Sequence, residues 1–218
     1  MASRYSLTSS PQVVQKTFAL ESIDPFPPRR AIAPTEPVTI VRRALGGGRE
    51  ACLVRWGLIA GWMKDPAAMS TLFSARAETA NEKPSFRGGL RHRRCLVPAD
   101  GYYVWSGEKG ARVAYHCTRV AGGVMAMGGI WEHWIGADGS ELETMAILTV
   151  AASADVAPFT DRMPLILESA DWATWLDCSS GQASGVMRLM VPAGQGLLQA
   201  AKVEGPLPRA SLKDAGAI

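Results

Sequence analysis

Val38-Thr39-Ile40-Val41-Arg42-Arg43-Ala44, Gly46-Gly47-Gly48 and Ala51-Cys52-Leu53-Val54-Arg55-Trp56 form the stretch that decides the fold. The two arms are rich in β-branched and apolar residues, and the three glycines between them supply backbone that turns without steric cost. This is a strand, a tight turn and a second strand. A phosphate-binding loop is excluded, because the glycines are followed neither by a lysine nor by a helical pattern.

Working outward, short strand signals recur at residues 94–97, 102–105, 113–117, 124–127, 130–134, 145–150 and 164–167. Turns are expected at Gly107-Glu108-Lys109-Gly110 and Ala137-Asp138-Gly139. Helix signals are few. Ser10-Pro11 heads Gln12 to Phe18 with a capping hydroxyl and a first-turn proline. Ser169-Ala170-Asp171 leads a short capped helix over 172–176, with an acid at its positive end. Residues 24–37 hold Pro25, Pro27, Pro28, Pro34 and Pro37 and are expected to be extended loop throughout. The pattern is a β-rich α+β domain over residues 1–203 with a tail over 204–218.

At 218 residues the chain is long enough for one substantial core. With 23 Lys and Arg against 20 Asp and Glu, the net charge of +3 excludes a polycationic tail but not a locally basic groove. Cys52, Cys95, Cys117 and Cys178 are scattered, and His92, His116 and His133 show no metal-ligand spacing with them. Reduced thiols, no metal and no cofactor are expected. The start lacks a basic-then-apolar signal pattern and no run spans a bilayer, so the chain reads as cytoplasmic.

Several ordered motifs carry more. They are Met1-Ala2-Ser3-Arg4, Trp56-Gly57-Leu58, Ser74-Ala75-Arg76-Ala77-Glu78-Thr79, Val97-Pro98-Ala99-Asp100-Gly101-Tyr102-Tyr103-Val104-Trp105 and Asp161-Arg162-Met163-Pro164. In order and spacing, over roughly residues 1–178, they resemble the SOS response-associated peptidase (SRAP) family. The resemblance implies a compact, curved, mostly antiparallel β-sheet core with peripheral helices. It also implies a DNA-damage role: capture of abasic sites in single-stranded DNA by an N-terminal cysteine. There the amine forms a Schiff base with the sugar aldehyde and the thiol closes a thiazolidine ring.

The family's reactive residues are absent at the matching positions. Ala2 stands for the cysteine, Ser74 for an asparagine, Val104 for a glutamate and Thr160 for a histidine. Alanine has no sulfur to close the ring, valine carries no proton, and a threonine hydroxyl does not titrate near neutrality. The resemblance assigns DNA contact to Arg4, Arg76 and Arg162 through phosphates, to Trp62 and Trp105 through stacking, and to Thr149 near the site. The alternative for Arg76 is a surface pair with Glu78. Trp131, Trp134, Trp172 and Trp175 are assigned to the core or its edge.

Three readings follow. The first is a protein that binds single-stranded or abasic DNA without a durable cross-link. The second is a protein-interaction module without nucleic acid. The third is an enzyme in which the Ala2 amine, with a pKa of about 8, forms an imine helped by Glu78 or Asp100.

Overall fold

A computed structural model describes residues 3–64, 71–108 and 111–207. Its strands are β1 (Tyr5–Leu7), β2 (Arg29–Ile32), β3 (Pro37–Arg43), β4 (Arg49–Trp56), β5 (Ser74–Arg76), β6 (Arg94–Ala99), β7 (Gly101–Ser106), β8 (Val113–Arg119), β9 (Met125–Ile135), β10 (Glu141–Ala151), β11 (Arg162–Pro164), β12 (Ile166–Leu167) and β13 (Leu198–Lys202). Short helices α1 (Pro11–Phe18), α2 (Ala77–Ala80), α3 (Pro84–His92), α4 (Trp172–Leu176) and α5 (Ser184–Met187) flank them. The β-rich α+β expectation holds.

The β3–β4 hairpin runs in unbroken register from Pro37↔Arg55 to Arg43↔Arg49. Gly47 and Gly48 have φ of +90° and +75°, the left-handed backbone that only glycine adopts freely. The larger sheet closes on itself from this hairpin. β4 runs parallel to β10, β3 pairs β6, β6 pairs β9, and β9 pairs β10 antiparallel. Most pairings are antiparallel; β4 and β5 are the strands parallel to β10. The second sheet has the order β13-β8-β7-β1-β2, so the N-terminal strand lies in its interior.

Trp56 joins the two sheets. It is 1% exposed, its ring lies 5.3 Å from that of Tyr5, and its Nε1 donates to Phe73 O at 2.8 Å. Burial of this bulk, with Phe18, Ile40, Leu96, Met127 and Trp175, dominates the core.

Three expectations need correction. Residues 24–37 are not loop throughout: β2 lies within them and pairs β1. It is held by buried Glu36, which accepts from Ala33 N at 2.9 Å and from the Arg29 guanidinium. Residues 124–127 and 130–134 are not separate strands but parts of one, β9, which passes through Gly128 and Gly129. A Cβ on Gly128 would meet Leu165 Cδ2 at 2.7 Å, so the glycines mark close packing inside the ring and not a break. Helix α4 forms, but Asp171 makes no side-chain cap bond. Its anchors are Trp172 Nε1 on Leu167 O and Trp175 Nε1 on Cys95 O, both at 2.9 Å. Residues 204–207 line a cleft, while 208–218 lie outside the described residues.

Helix α1 matches its sequence reading: Ser10 Oγ accepts from Val13 N, and Pro11 opens the first turn. Trp172 and Trp175 are buried, and Trp131 and Trp134 stand half-buried at the edge of the core. No helix among the described residues is long and apolar enough to cross a membrane.

Candidate nucleic-acid interface

The C-terminal end of β10 carries one half of the candidate site. β5 lies parallel to it, with Thr149 opposite Arg76, and β11 pairs its other side, with Ala151 opposite Arg162. Ala75 and Ala77 bury their methyls, which leaves Arg76 facing solvent between them. α2 follows at once and projects Glu78 back toward β11.

Arg162 grips this corner. Its Nη1 donates to Glu78 Oε1 at 2.5 Å and its Nη2 to Glu78 Oε2 at 2.8 Å, a two-pronged ion pair. Nη2 also donates to Thr149 O at 2.6 Å. Thr149 is 2% exposed, so its hydroxyl packs behind Arg162, donating to Ala75 O at 3.4 Å. Thr160 Oγ1 closes the turn before β11, donating to Arg162 O at 3.0 Å and accepting from Arg162 N. The Arg162 guanidinium, first among several causes, holds the Glu78 carboxyl below its usual range, and the Arg76 charge adds to the effect. Glu78 therefore pairs with Arg162, not with Arg76 as the sequence alternative had it.

The N-terminal strand carries the other half. β1 pairs β7 through Tyr5↔Tyr102 and Ser6↔Gly101, and Tyr103 N donates to Arg4 O at 3.0 Å. Ser6 Oγ meets His116 Nε2 at 2.9 Å, and Tyr103 stacks on that imidazole with centroids 4.6 Å apart. Burial pushes the His116 pKa down, against the pull of Asp100. Asp100 itself is occupied. It accepts from Thr8 Oγ1 and Ser9 N at 2.8 Å and from Ser9 Oγ at 2.6 Å. Burial acts against its ionisation, but these bonds outweigh it and hold the pKa low. Asp100 thus fastens the segment after β1 through both of its carboxylate oxygens.

Val104 is 1% exposed within the core, whereas its neighbour Trp105 is half-buried and lines a cleft with Ser3 and Arg4. Ala2 lies outside the described residues. Ser74 is half-buried beside Phe73, whose carbonyl Trp56 binds. The chain of contacts Tyr5–Trp56–Phe73 therefore ties the N-terminal strand to the start of the Ser74 motif.

Trp62 is 57% exposed on a separate turn, fixed by Met63 N on Ala60 O at 2.9 Å and by Trp134 Nε1 on Met63 O at 2.6 Å. Trp134 sits opposite Leu142, and β10 rises about 3.3 Å per residue, so Trp134 stands roughly 23 Å along that strand from Thr149. The structure thus gathers Ser74, Arg76, Glu78, Thr149, Thr160 and Arg162 around one strand end. Arg4 and Trp105 form a second cluster and Trp62 a third.

The role of Glu78 as partner of Arg162, 84 positions away, left no local signal in the sequence. Among the described residues, no group of three His, Cys, Asp or Glu is placed to hold a metal. Burial pushes the thiols of Cys52 and Cys117 up to about 11, so both are protonated at neutral pH.

Comparison with known proteins places this geometry. The family described as SOS response associated peptidase (SRAP) matches residues 1–207. The abasic site processing protein YoqW of Bacillus subtilis is 29% identical over 197 residues, covering 88% of this chain and 87% of its own length. The abasic site processing protein HMCES of Gallus gallus is 33% identical over 164 residues, covering 64% of this chain and 49% of that protein. A crystal structure of a Bordetella bronchiseptica protein superposes with TM-score 0.78 at 26% identity, covering 93% of this chain and 99% of that one. One from Bacteroides thetaiotaomicron reaches 0.83 at 22% identity, covering 95% and 97%.

Proposed function

The chain belongs to the SOS response associated peptidase (SRAP) family, and from that premise we propose that it binds single-stranded DNA, including DNA with abasic sites, without forming a durable cross-link. Relatives named as abasic site processing proteins support the ligand class. The observation that carries the loss of chemistry is the set Ala2, Ser74, Val104 and Thr160, read against the geometry. Val104 is sealed in the core, and the Thr160 hydroxyl is taken up by the turn that positions Arg162. Cys52 and Cys117 hold protonated thiols and offer no activated sulfur in place of the one missing at residue 2. The retained groups are cations and aromatics: Arg4, Arg76, Trp62 and Trp105. Such groups bind a phosphate backbone and stacked bases without reading sequence. Function in a DNA-damage response and a cytoplasmic location belong to the same proposal.

The exposed Arg76 guanidinium favours nucleic acid over the protein-interaction reading, which calls for an apolar patch. The test is intact-mass analysis after incubation with an abasic oligonucleotide, beside a salt titration of binding to the same strand. The expected result is a salt-sensitive complex that falls apart on denaturation. An adduct that survives denaturation, or affinity no greater than that of an unrelated protein of equal charge, overturns the proposal.

A further inference from the structure

Resting on the nucleic-acid reading above, we propose that the cleft beside the N-terminal strand is a phosphate-binding subsite for the nucleic-acid backbone. Arg112 and Lys202 are its phosphate ligands and Trp105 is the surface against which the adjacent base or sugar packs. The cleft has a volume of about 670 Å³ and is lined by Ser3, Arg4, Trp105, Arg112, Lys202 and residues 203–207. That volume falls within the range of about 300–1,000 Å³ typical of small-ligand clefts.

Three neighbouring strands build it. Trp105 on β7 lies opposite Ala114, and Val203, which follows β13, donates its N–H to Ala114 O at 2.9 Å. Lys202 lies opposite Tyr115, and Arg112 immediately precedes β8. The two long cations therefore come from adjacent strands and reach the same space, and both are exposed. Glu204 is the one carboxylate among the described lining residues, against Arg112 and Lys202. Positive charge thus prevails where an anion would enter.

The Arg76 corner contrasts with this, because Glu78 there cancels the charge of Arg162. A planar guanidinium and a flexible ammonium beside an indole suit a phosphodiester next to a base. The motif residues of the family contribute Arg4 and Trp105 to this cleft; Arg112 and Lys202 come from outside those motifs.

The experiment compares the double variant Arg112→Gln/Lys202→Gln with a charge-matched control, Lys16→Gln/Arg188→Gln, whose positions lie outside the cleft lining. The probe is fluorescein-labelled (dT)12, titrated at several salt concentrations. Loss of two phosphate contacts is expected to flatten the log–log salt slope by about 1.4, so that affinity falls roughly sevenfold less between 50 and 200 mM salt. The control should keep the parental slope. If the parent protein binds and the cleft variant behaves like the control, the subsite is overturned while the nucleic-acid reading stands. If the parent protein does not bind the strand, the nucleic-acid reading fails and the subsite fails with it. If the cleft variant loses binding to oligoglutamate but not to (dT)12, the cleft is a site for an acidic peptide and the proposal is overturned.

Discussion

Arg162 and Glu78 face each other through two parallel hydrogen bonds, at 2.5 Å and 2.8 Å, across 84 residues of sequence. The pair locks β11 to the helix that follows β5. Arg162 is only 13% exposed, so it depends on this partner, while Glu78, 53% exposed, stays wet.

Glu78→Gln is expected to destabilise the protein by about 1 kcal/mol, a value discounted because the carboxylate is half in solvent. The Glu78 pKa is lower in the folded chain than in the unfolded one, so its contribution is full above the unfolded value. It is lost as pH falls through the folded value. Urea unfolding at pH 7 and pH 3 checks this: the difference between parent and variant should be smaller at the lower pH.

Val104→Glu introduces an acid at a position that is 1% exposed within the hydrophobic core. Burying a carboxylate without a partner should cost about 3 kcal/mol. A thermal melt falling by several degrees is expected. An unchanged melt would mean that water reaches this position.

Asp100→Ala frees Thr8 and Ser9, which the carboxylate ties to the start of β7. A loss of about 2 kcal/mol at neutral pH is expected, the scale for hydrogen bonds to a charged group. Faster amide exchange in residues 5–9 would locate the loosening. Because the folded pKa is depressed, the gap between parent and variant should narrow as pH falls through that value.

Arg76→Gln separates binding from stability. The side chain is exposed at the edge of β5, so stability should change by less than about 0.5 kcal/mol. The salt slope for single-stranded DNA should flatten by about 0.7, the share of one phosphate contact. Fluorescence anisotropy and a denaturant melt on the same sample provide both readings.

Local signals carried the parts of the fold that local chemistry determines. Ser10-Pro11 and the three glycines of the β3–β4 turn act within a few residues of themselves, and the helix and hairpin stand where they imply. β2, β5 and β13 were not legible, because strands of three to five residues exist only through their neighbours. Gly128-Gly129 misled for a related reason: the demand for glycine comes from Leu165 and Cys95, which approach from other strands. The same division holds in the candidate site. Its residue types could be named from the motifs, but the partner of Arg162 and the burial of Val104 and Thr149 are set by strands distant in sequence. The separation of Trp62 from the Arg76 corner depends on the length of β10, which no motif contains.

Ser3 and Leu207 line the same cleft although 204 positions separate them in the sequence. Segments remote in the polypeptide thus share one wall. A fluorophore placed on either segment would report the same occupant of that space.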